Sequence, residues 1–514
     1  MTPFAPPAPA RTVAGLAAAT PPTRDRYVDL LRVASLGTVV TGHVLMAAVA
    51  YRHGHLVASN VLRQARPARY LTWVLQVMPV FFVVGGFSNA ASWTAAERDG
   101  AGYGGWLAAR VRRLVRPAAA FAMVWVGLAA AARLAGVAGP SLHTADHMVA
   151  LPLWFLAVYL GVVAATPALL AAHRRWGVAA PVAMAGAVAA VDVARWTLHI
   201  PLVGWANVAL VWLFAAQLGV LWRHGRLPAG TGRRLLLAGA GAGLLLALTG
   251  TAGYPVSLVG GVGEVRSNTD PPSLALVAAA LLQTGLALAL RPVADRWLAR
   301  PRAWAAVVAA NASAMTVYLW HLTALVAVAA VALQVPGMPQ PPMASGAWWL
   351  LRPLWLAAVA VALVPLWFSF SPLERGRRRP APAGAGPPAT RAVLGCLVAA
   401  AGMAVLAVRG FSPSTAAGGP VVGLALVAGG WALVSAGRRL AGRAGAGDRT
   451  PGALRQQSPE PVVHRGPGSR PDARHPGRPL VGTRPVPGAG DRSPSDAGPG
   501  CSPAGRHATG PGRE

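Results

Sequence analysis

Three ionisable residues lie within one apolar, helix-length run near the start of the chain. The run extends from Arg24 to Ala50 and carries Asp29, Arg32 and His43. An ionisable group inside a membrane costs roughly 3 kcal/mol on insertion scales, so it is rarely retained without a function. Arg32 and His43 are eleven residues apart, which is about three helical turns, so they share one helix face about 16 Å apart. The pair could hold a long ligand, with its charged end at the guanidinium and its reactive end against the imidazole.

Each of these residues also has a structural interpretation. Arg32 could extend to the membrane surface as a topology anchor, with Asp29 three residues earlier as its partner on the same helix face. His43 lies too deep in the run to reach a surface, and its alternative role is a hydrogen bond to a neighbouring helix. The sequence leaves both alternatives open and favours chemistry more strongly at His43 than at Arg32.

A second basic cluster lies in the segment Trp106–Pro117, before a later apolar run. Arg110, Arg113 and Arg116 recur at every third position, so on a helix they form a basic stripe. Guanidinium groups bind phosphate oxygens bidentately, so the stripe suits phosphates. Taken alone, however, the stripe is better explained as a positive anchor on the cytoplasmic side of the membrane.

A late apolar span, Asn311–Leu325, carries two further polar side chains. Tyr318 and His321 are three residues apart and share a helix face. Both could point into a polar cavity. Hydrogen bonds to neighbouring helices explain them equally well.

A glycine pair, Gly85-Gly86, interrupts the second apolar run and allows another backbone to approach closely. Ser88 and Asn89 follow and add polar groups near the end of that run. The chain has no P-loop, GxSxG, HExxH or EF-hand pattern in a suitable context. It also has no lysine, which excludes Schiff-base chemistry.

The composition is that of a helical membrane protein. Of the 514 residues, 54% are hydrophobic and only 12% are charged, and the mean hydropathy is +0.47. Apolar runs of about 20 residues recur along most of the chain, as polytopic membrane proteins require. The net charge of +30 comes from arginines in short loops, without aromatic interleaving, so we expect no nucleic-acid partner. Two cysteines cannot form a zinc site, and we expect no bound metal.

The order of apolar runs predicts an all-α polytopic membrane protein with a ten-helix core and about two extra C-terminal helices. The predicted domains are a disordered cytoplasmic N-terminus (1–26), a ten-span membrane domain (27–372), an Arg/Pro-rich cytoplasmic linker (373–391), two additional transmembrane helices (392–437) and a disordered Pro/Gly/Arg-rich cytoplasmic tail (438–514). The predicted spans are 28–50, 70–93, 117–135, 151–172, 178–194, 204–222, 233–252, 273–291, 311–333, 347–370, 392–409 and 420–437. Arginine is concentrated in alternate loops, which predicts a cell-membrane protein with both termini in the cytoplasm. The tail could also be a shifted reading frame.

Four motifs, in the right order, resemble those of membrane acyltransferase family 3. They are D-x-L-R followed by a histidine (Asp29, Leu31, Arg32, His43), P-x-F-F-x-x-x-G-F (Pro79, Phe81, Phe82, Gly86, Phe87), R-x-x-R-L-x-x-P (Arg110, Arg113, Leu114, Pro117) and Y-L-x-H (Tyr318, Leu319, His321). The resemblance covers about residues 24–370. The segment Tyr254–Pro272 is similar to a loop of an actinobacterial branch of the family.

The resemblance implies a membrane O-acyltransferase that takes an acyl group from a cytoplasmic acyl-CoA-type donor. The acceptor would be a hydroxyl of a glycan, another envelope component or a secondary metabolite, and no cofactor is implied beyond acyl-CoA as co-substrate. His43 and Asp29 form the expected catalytic set. His43 would act as general base or acyl carrier, and Asp29 would act by orienting Arg32. Arg32, Arg110, Arg113 and Arg116 would bind the donor, and Tyr318 and His321 are candidates for acceptor contact or proton relay.

Two other functional classes fit some of the same features. Charges within a membrane also line transport pathways, so a polytopic transporter is the main alternative. That class predicts discontinuous helices and related halves, and the sequence shows neither. A non-catalytic membrane scaffold is the third interpretation, and it would tolerate loss of both Arg32 and His43.

Overall fold

The computed structural model describes residues 13–21, 23–52, 55–137, 139–260, 266–374, 386–412 and 419–447. The described residues form sixteen helices and one hairpin. The elements are α1 (Val13–Ala18), α2 (Arg26–Met46), β1 (Ala47–Arg52), β2 (His55–Asn60), α3 (Thr72–Leu75), α4 (Met78–Arg98), α5 (Tyr103–Leu134), α6 (Gly139–Ala164), α7 (Thr166–Trp176), α8 (Ala179–Trp196), α9 (Ala206–Arg223), α10 (Thr231–Gly250), α11 (Leu274–Leu298), α12 (Pro301–Ala332), α13 (Gly346–Leu350), α14 (Arg352–Glu374), α15 (Ala389–Arg409) and α16 (Gly419–Gly447). Short 3₁₀ turns lie at Val61–Arg63, Arg66–Arg69 and Val203–Trp205.

The predicted class, an all-α polytopic membrane protein, is confirmed. Within the described ranges, eleven helices are long and apolar enough to cross a membrane, and a shorter apolar segment, Pro420–Ser435, lies in α16. The predicted span 178–194, which is short and Ala-rich and contains Asp192, corresponds to α8. Residues 438–447 of the predicted tail belong to α16, whereas the rest of the tail and most of the predicted linker lie outside the described residues. The predicted domain boundaries stay predictions.

The first span ends earlier than the sequence predicts. We expected it to continue to residue 50, but α2 ends at Met46 and Ala47 is already extended, with φ −71° and ψ 117°. Residues 47–52 pair antiparallel with 55–60. The apolar run continues through Ala50 because β1 is as apolar as the helix before it, so hydropathy alone cannot separate the two elements.

Two other helices extend beyond their predicted spans. α5 begins at Tyr103 rather than near residue 117, so the arginine stripe and the apolar span form one continuous helix through Pro117. The predicted span 151–172 is divided between α6 and α7, and α6 begins at Gly139. Four arginines in the first half of α5 lower its mean hydropathy, and polar residues such as His143, Asp146 and His147 lower that of the start of α6. The predicted starts are therefore too late.

Close backbone packing joins α4 to α9. A Cβ atom added at Gly86 would lie 2.0 Å from the carbonyl oxygen of Ala216, and one added at Gly219 would lie 1.9 Å from that of Val83. Glycine is therefore required on both helices for this approach. The contact holds α4 in place, and α4 carries the polar residues Ser88 and Asn89 that the sequence had indicated.

α2 packs against α4, α11, α12 and α14. At its start, Asp25 forms an ion pair with Arg291 of α11 at 2.9 Å. In the same region, Asn311 of α12 donates to the carbonyl oxygen of Asp29 at 3.2 Å. We call this the arginine-rich end of the bundle, and the opposite end, where α2 meets β1, the hairpin end.

α15 and α16 pack on α5 and α6 rather than standing apart. Arg112 of α5 donates to the carbonyl oxygen of Val434 in α16 at 2.7 Å. Asp146 of α6 accepts hydrogen bonds from the backbone of Phe411 and Ser412, just after α15. Since Phe411 is fully buried, these two helices share the hydrophobic core of the other ten.

Candidate active site

Asp29 and Arg32 form an ion pair near the start of α2. Nη1 of Arg32 donates to Oδ1 of Asp29 at 2.9 Å, and Nη2 donates to Oγ of Ser88 on α4 at 2.8 Å. Arg24 forms a second ion pair with the same carboxylate, which is only 4% exposed. Asp29 lies fourteen residues from His43, about 21 Å along the helix. It therefore orients Arg32 and does not reach the reacting end of the site.

Arg110 of α5 is held by side chains of α4, the helix that also holds Arg32. Its Nη1 donates to Oδ1 of Asn89 at 3.0 Å, its Nη2 donates to Oγ of Ser92, and its guanidinium lies over the ring of Trp106, 4.9 Å from the centroid. Nε1 of Trp106 also donates to Oγ of Ser92 at 3.3 Å. Neutral groups thus fix this arginine without neutralising its charge.

Three of the predicted donor-binding arginines lie together at the arginine-rich end. Arg110 lies close enough to Arg32 and to Arg113 for each of those charges to repel its own, and Arg32 forms an ion pair with Asp29. Nδ2 of Asn89 is buried and has no hydrogen-bond partner among the described residues. Like charges held together in this way favour an anion, and the free amide N–H groups add donors for its oxygens.

The fourth predicted donor-binding arginine, Arg116, lies at the edge of this cluster. Six residues along α5 from Arg110 place it about 120° around the helix. Both Arg113 and Arg116 are exposed. The structure therefore brings Arg32, Arg110 and Arg113 together and leaves Arg116 farther around the helix.

Two histidines from distant parts of the chain meet deeper in the bundle. Nδ1 of His43 on α2 lies 2.8 Å from Nε2 of His321 on α12. The two imidazole planes are within 3° of parallel and their centroids are 5.1 Å apart, which is compatible with a hydrogen bond in the ring plane. Nδ1 of His321 lies 2.7 Å from the main-chain oxygen of Tyr318. The result is a linear chain of hydrogen bonds from a carbonyl through two imidazoles.

The main-chain carbonyl of Tyr318 determines which nitrogen donates in each hydrogen bond of this chain. A carbonyl oxygen only accepts, so Nδ1 of His321 carries a hydrogen and donates to Tyr318. Nε2 of a neutral His321 then has a lone pair, which accepts the hydrogen on Nδ1 of His43. The assignment follows from the hydrogen-bond network. Nε2 of His43 is left unprotonated, which is the state of a general base.

The two histidines differ in their access to the surroundings. His321 is fully buried, whereas His43 is partly exposed. The hydroxyl of Tyr318 donates to the carbonyl oxygen of Pro152 at 3.2 Å, so that hydroxyl faces away from the pair. Tyr318 therefore contributes its main-chain carbonyl, and His43 is the member of the chain that a substrate could reach.

Several residues that build the site escaped the sequence-based predictions. Oxygens of Glu374 accept hydrogen bonds from the backbone N–H of Met315 and of Thr316, both at 3.1 Å. This contact holds α12 one to two turns before His321. Ser92 could have been found from its spacing, because it lies three residues after Asn89, but nothing in the local sequence indicates the partner of Glu374.

The described residues contain no group of three His, Cys, Asp or Glu side chains arranged to hold a metal ion. The polar atoms gathered at the two centres are guanidinium, amide and hydroxyl groups at one end and imidazoles at the other. The first set suits an oxyanion, and the second suits proton transfer to or from a hydroxyl.

A protein-family model described as an acyltransferase domain, that of membrane acyltransferase family 3, matches residues 25–372. The chain belongs to this acyltransferase family. Neither a curated protein nor a solved structure matches the chain. Family membership indicates an acyltransferase embedded in a lipid bilayer, which acts on an acyl donor and a hydroxyl acceptor.

Both centres of the site lie within the acyltransferase domain. The matched range contains α2, α4, α5 and α12, which supply the arginine cluster and the histidine pair. α15 and α16 lie beyond it, although they pack against the α5 helix that carries Arg110. This acyltransferase chain therefore adds two helices to the family's domain.

Proposed function

We propose that the protein is a membrane O-acyltransferase in which the arginine cluster binds the phosphates of an acyl-CoA-type donor and His43 activates the acceptor hydroxyl. The observation that carries this proposal is the direction of the hydrogen-bond chain, which leaves Nε2 of His43 unprotonated at a partly exposed position. A base oriented in this way by a second group follows the logic of known acyl-transfer sites.

Donor binding is supported by the chemistry and spacing of the two centres. Arg32 and Arg110 come from different helices and are held side by side by α4, which suits two phosphate groups in sequence. The eleven residues from Arg32 to His43 correspond to about 16 Å. An extended pantetheine arm is of comparable length, so its thioester would lie near the imidazole.

The proposed transfer proceeds through proton movement at one nitrogen. Nε2 of His43 removes the proton of the acceptor hydroxyl as the oxygen attacks the thioester carbonyl. The carbon–sulfur bond then breaks, and the protonated imidazole returns the proton to the departing thiolate. Throughout, Nδ1–H of His43 donates to Nε2 of His321, and this hydrogen bond stabilises the protonated form of His43.

A two-step variant uses the same residues. The free Nε2 of His43 would attack the thioester carbonyl and release a thiolate. In a second step the acceptor oxygen would take the acyl group from the imidazole, and the proton that the hydroxyl loses would neutralise the thiolate. Both routes end in an ester and a free thiol. They differ in whether an acyl-histidine accumulates when the acceptor is withheld.

The proposal is tested by comparing cells that carry the gene with cells from which it has been deleted. Mass spectrometry of cell-envelope glycans and secreted metabolites should reveal a product heavier by one acyl group only when the gene is present. Complementation with His43→Ala should leave that product absent, although the protein still inserts into the membrane. Identical acylation profiles in all strains, or uptake of a substrate by proteoliposomes without any acyl donor, would contradict the proposal.

A further inference from the structure

A buried arginine lies at the hairpin end of α2, just beyond His43. Arg352 begins α14 and is only 7% exposed. Its Nη1 donates to the carbonyl oxygen of Val44, in the last turn of α2, at 3.4 Å and to that of Ala47, the first residue of β1, at 3.2 Å. Its guanidinium lies 3.9 Å from the ring centroid of Trp348. A buried cation in a membrane-spanning element requires a reason.

One edge of this guanidinium is unused. Nε of Arg352 is buried and has no partner, and within the described residues the hydrogen bonds of the group all come from Nη1. No carboxylate of the described residues forms an ion pair with it. Nε and Nη2 together form the fork edge that binds a carboxylate or phosphate through two parallel hydrogen bonds.

The surroundings at this end are also positive and aromatic. Residues 47–77, between α2 and α4, contain four arginines and no acidic residue, and Arg63 and Arg66 in that segment are exposed. The ring of Trp355 lies 5.1 Å from the guanidinium, on a second side of it. Positive charge of this kind attracts anions and raises their local concentration.

We propose that Arg352 binds a carboxylate or phosphate group of the acceptor and so places the acceptor hydroxyl at His43. The inference rests on the proposed function, and it specifies the acceptor as an anionic hydroxyl compound, such as an acidic glycan. Arg352 contacts α2 one residue beyond His43, so an anion on its free edge lies close to the base. The donor site is at the opposite, arginine-rich end, so the two substrates do not compete for the same cations.

The test measures ligand binding by the full-length protein in nanodiscs of zwitterionic lipid. The probes are methyl glucuronide and glucose 1-phosphate, with methyl glucoside as the neutral control. We expect the wild type to bind at least one acidic probe and to bind the neutral sugar at least tenfold more weakly. Arg352→Lys keeps the charge and a donor for the α2 carbonyls but lacks the fork, so it should fold normally and lose at least tenfold in affinity for the acid. Arg133→Gln, at an exposed arginine of α5, is the matched control and should bind like the wild type.

Three results would overturn this proposal. The first is equal affinity for the acidic and neutral sugars, and the second is unchanged acid binding in both Arg352→Lys and Arg352→Gln. The third is Arg352-dependent retention of phosphatidylglycerol without binding of either acidic probe, which would assign the free edge to a lipid phosphate.

CoA binding and acyl transfer are measured on the same samples. Acid binding without any transfer would refute the proposed function alone, and His43-dependent transfer to a neutral acceptor that is unaffected by Arg352→Lys would refute this inference alone.

Discussion

At the scale of single residues, the site depends on groups that hold other groups in place. His321 is fully buried and passes the orienting effect of the Tyr318 carbonyl to His43. Asn89 and Ser92 orient Arg110 by accepting its hydrogen bonds. The residues that touch substrates are thus fewer than the residues that build the site, and substitutions should separate the two groups.

His321 tests this distinction directly. We expect His321→Ala to lower kcat by about 10²-fold, because His43 loses the partner that fixes its tautomer and stabilises its protonated form. Binding of acyl-CoA should be unchanged. His321→Gln, whose side-chain oxygen can still accept from Nδ1 of His43, should retain more activity than the alanine variant. Equal kcat in wild type and His321→Ala would contradict the proposed hydrogen-bond chain.

Arg110 tests the donor site. Arg110→Gln removes charge-assisted hydrogen bonds, each about 1.5–3 kcal/mol, so KM for acyl-CoA should rise by roughly 10- to 100-fold. We expect a smaller change in kcat. The comparison variant is Arg133→Gln, on the exposed far end of the same helix, whose KM should match that of the wild type. A wild-type KM in Arg110→Gln would show that the phosphates bind elsewhere.

At the scale of elements, α4 is the framework of the proposed donor site. It holds Arg32 from α2 through Ser88 and Arg110 from α5 through Asn89, and it is itself held against α9 by glycine packing. Its position cannot shift without moving both arginines. Changes in the α4–α9 contact should therefore affect stability and donor binding together.

Gly86→Ala places a methyl group against the backbone of Ala216, where no flexible side chain can move aside. Overpacking of this kind costs about 1–3 kcal/mol, and we expect a lower Tm with weaker CoA binding. Gly127→Ala on α5, where the added atom meets nothing within 4 Å, should leave both unchanged. Thermal unfolding of the detergent-solubilised protein measures the difference, and equal Tm values for the two variants would rule out the packing argument.

The elements differ in how well the sequence predicts them. Membrane spans can be predicted because about 20 apolar residues are needed to cross a bilayer, and even the short, Ala-rich span at α8 was found. The hairpin was missed because Ala47–Ala50 continues the apolar run without a break. The start of α5 was placed too late because four arginines hide the helix from a hydropathy average.

The site was predictable in its parts but not in its contacts. Asp29, Arg32 and His43 share one helix, so their relative positions follow from helical geometry. His321 is 278 residues away from His43 along the chain, and no local pattern reports which helices become neighbours. Nothing in the local sequence distinguished the unpaired fork of Arg352 from an interfacial arginine.

At the scale of the whole molecule, the bundle separates two kinds of chemistry along one helix. The arginine-rich end gathers the arginines of the proposed donor site, and the histidine pair lies deeper, toward the hairpin end. α15 and α16 extend the family's domain, with Arg112 of α5 bonded to α16 and Asp146 of α6 bonded to the residues just after α15. The arrangement predicts that donor binding and transfer are separable properties of one chain.

The most direct test is to measure acyl-CoA affinity and acyl transfer on the same reconstituted sample of His43→Ala. The account predicts that transfer falls by about 10²- to 10⁴-fold, while the Kd for acyl-CoA stays within about twofold of the wild type. His143→Ala, at an exposed histidine of α6, should behave as the wild type in both measurements. A well-folded His43→Ala protein that transfers acyl groups at nearly the wild-type rate would contradict the central claim.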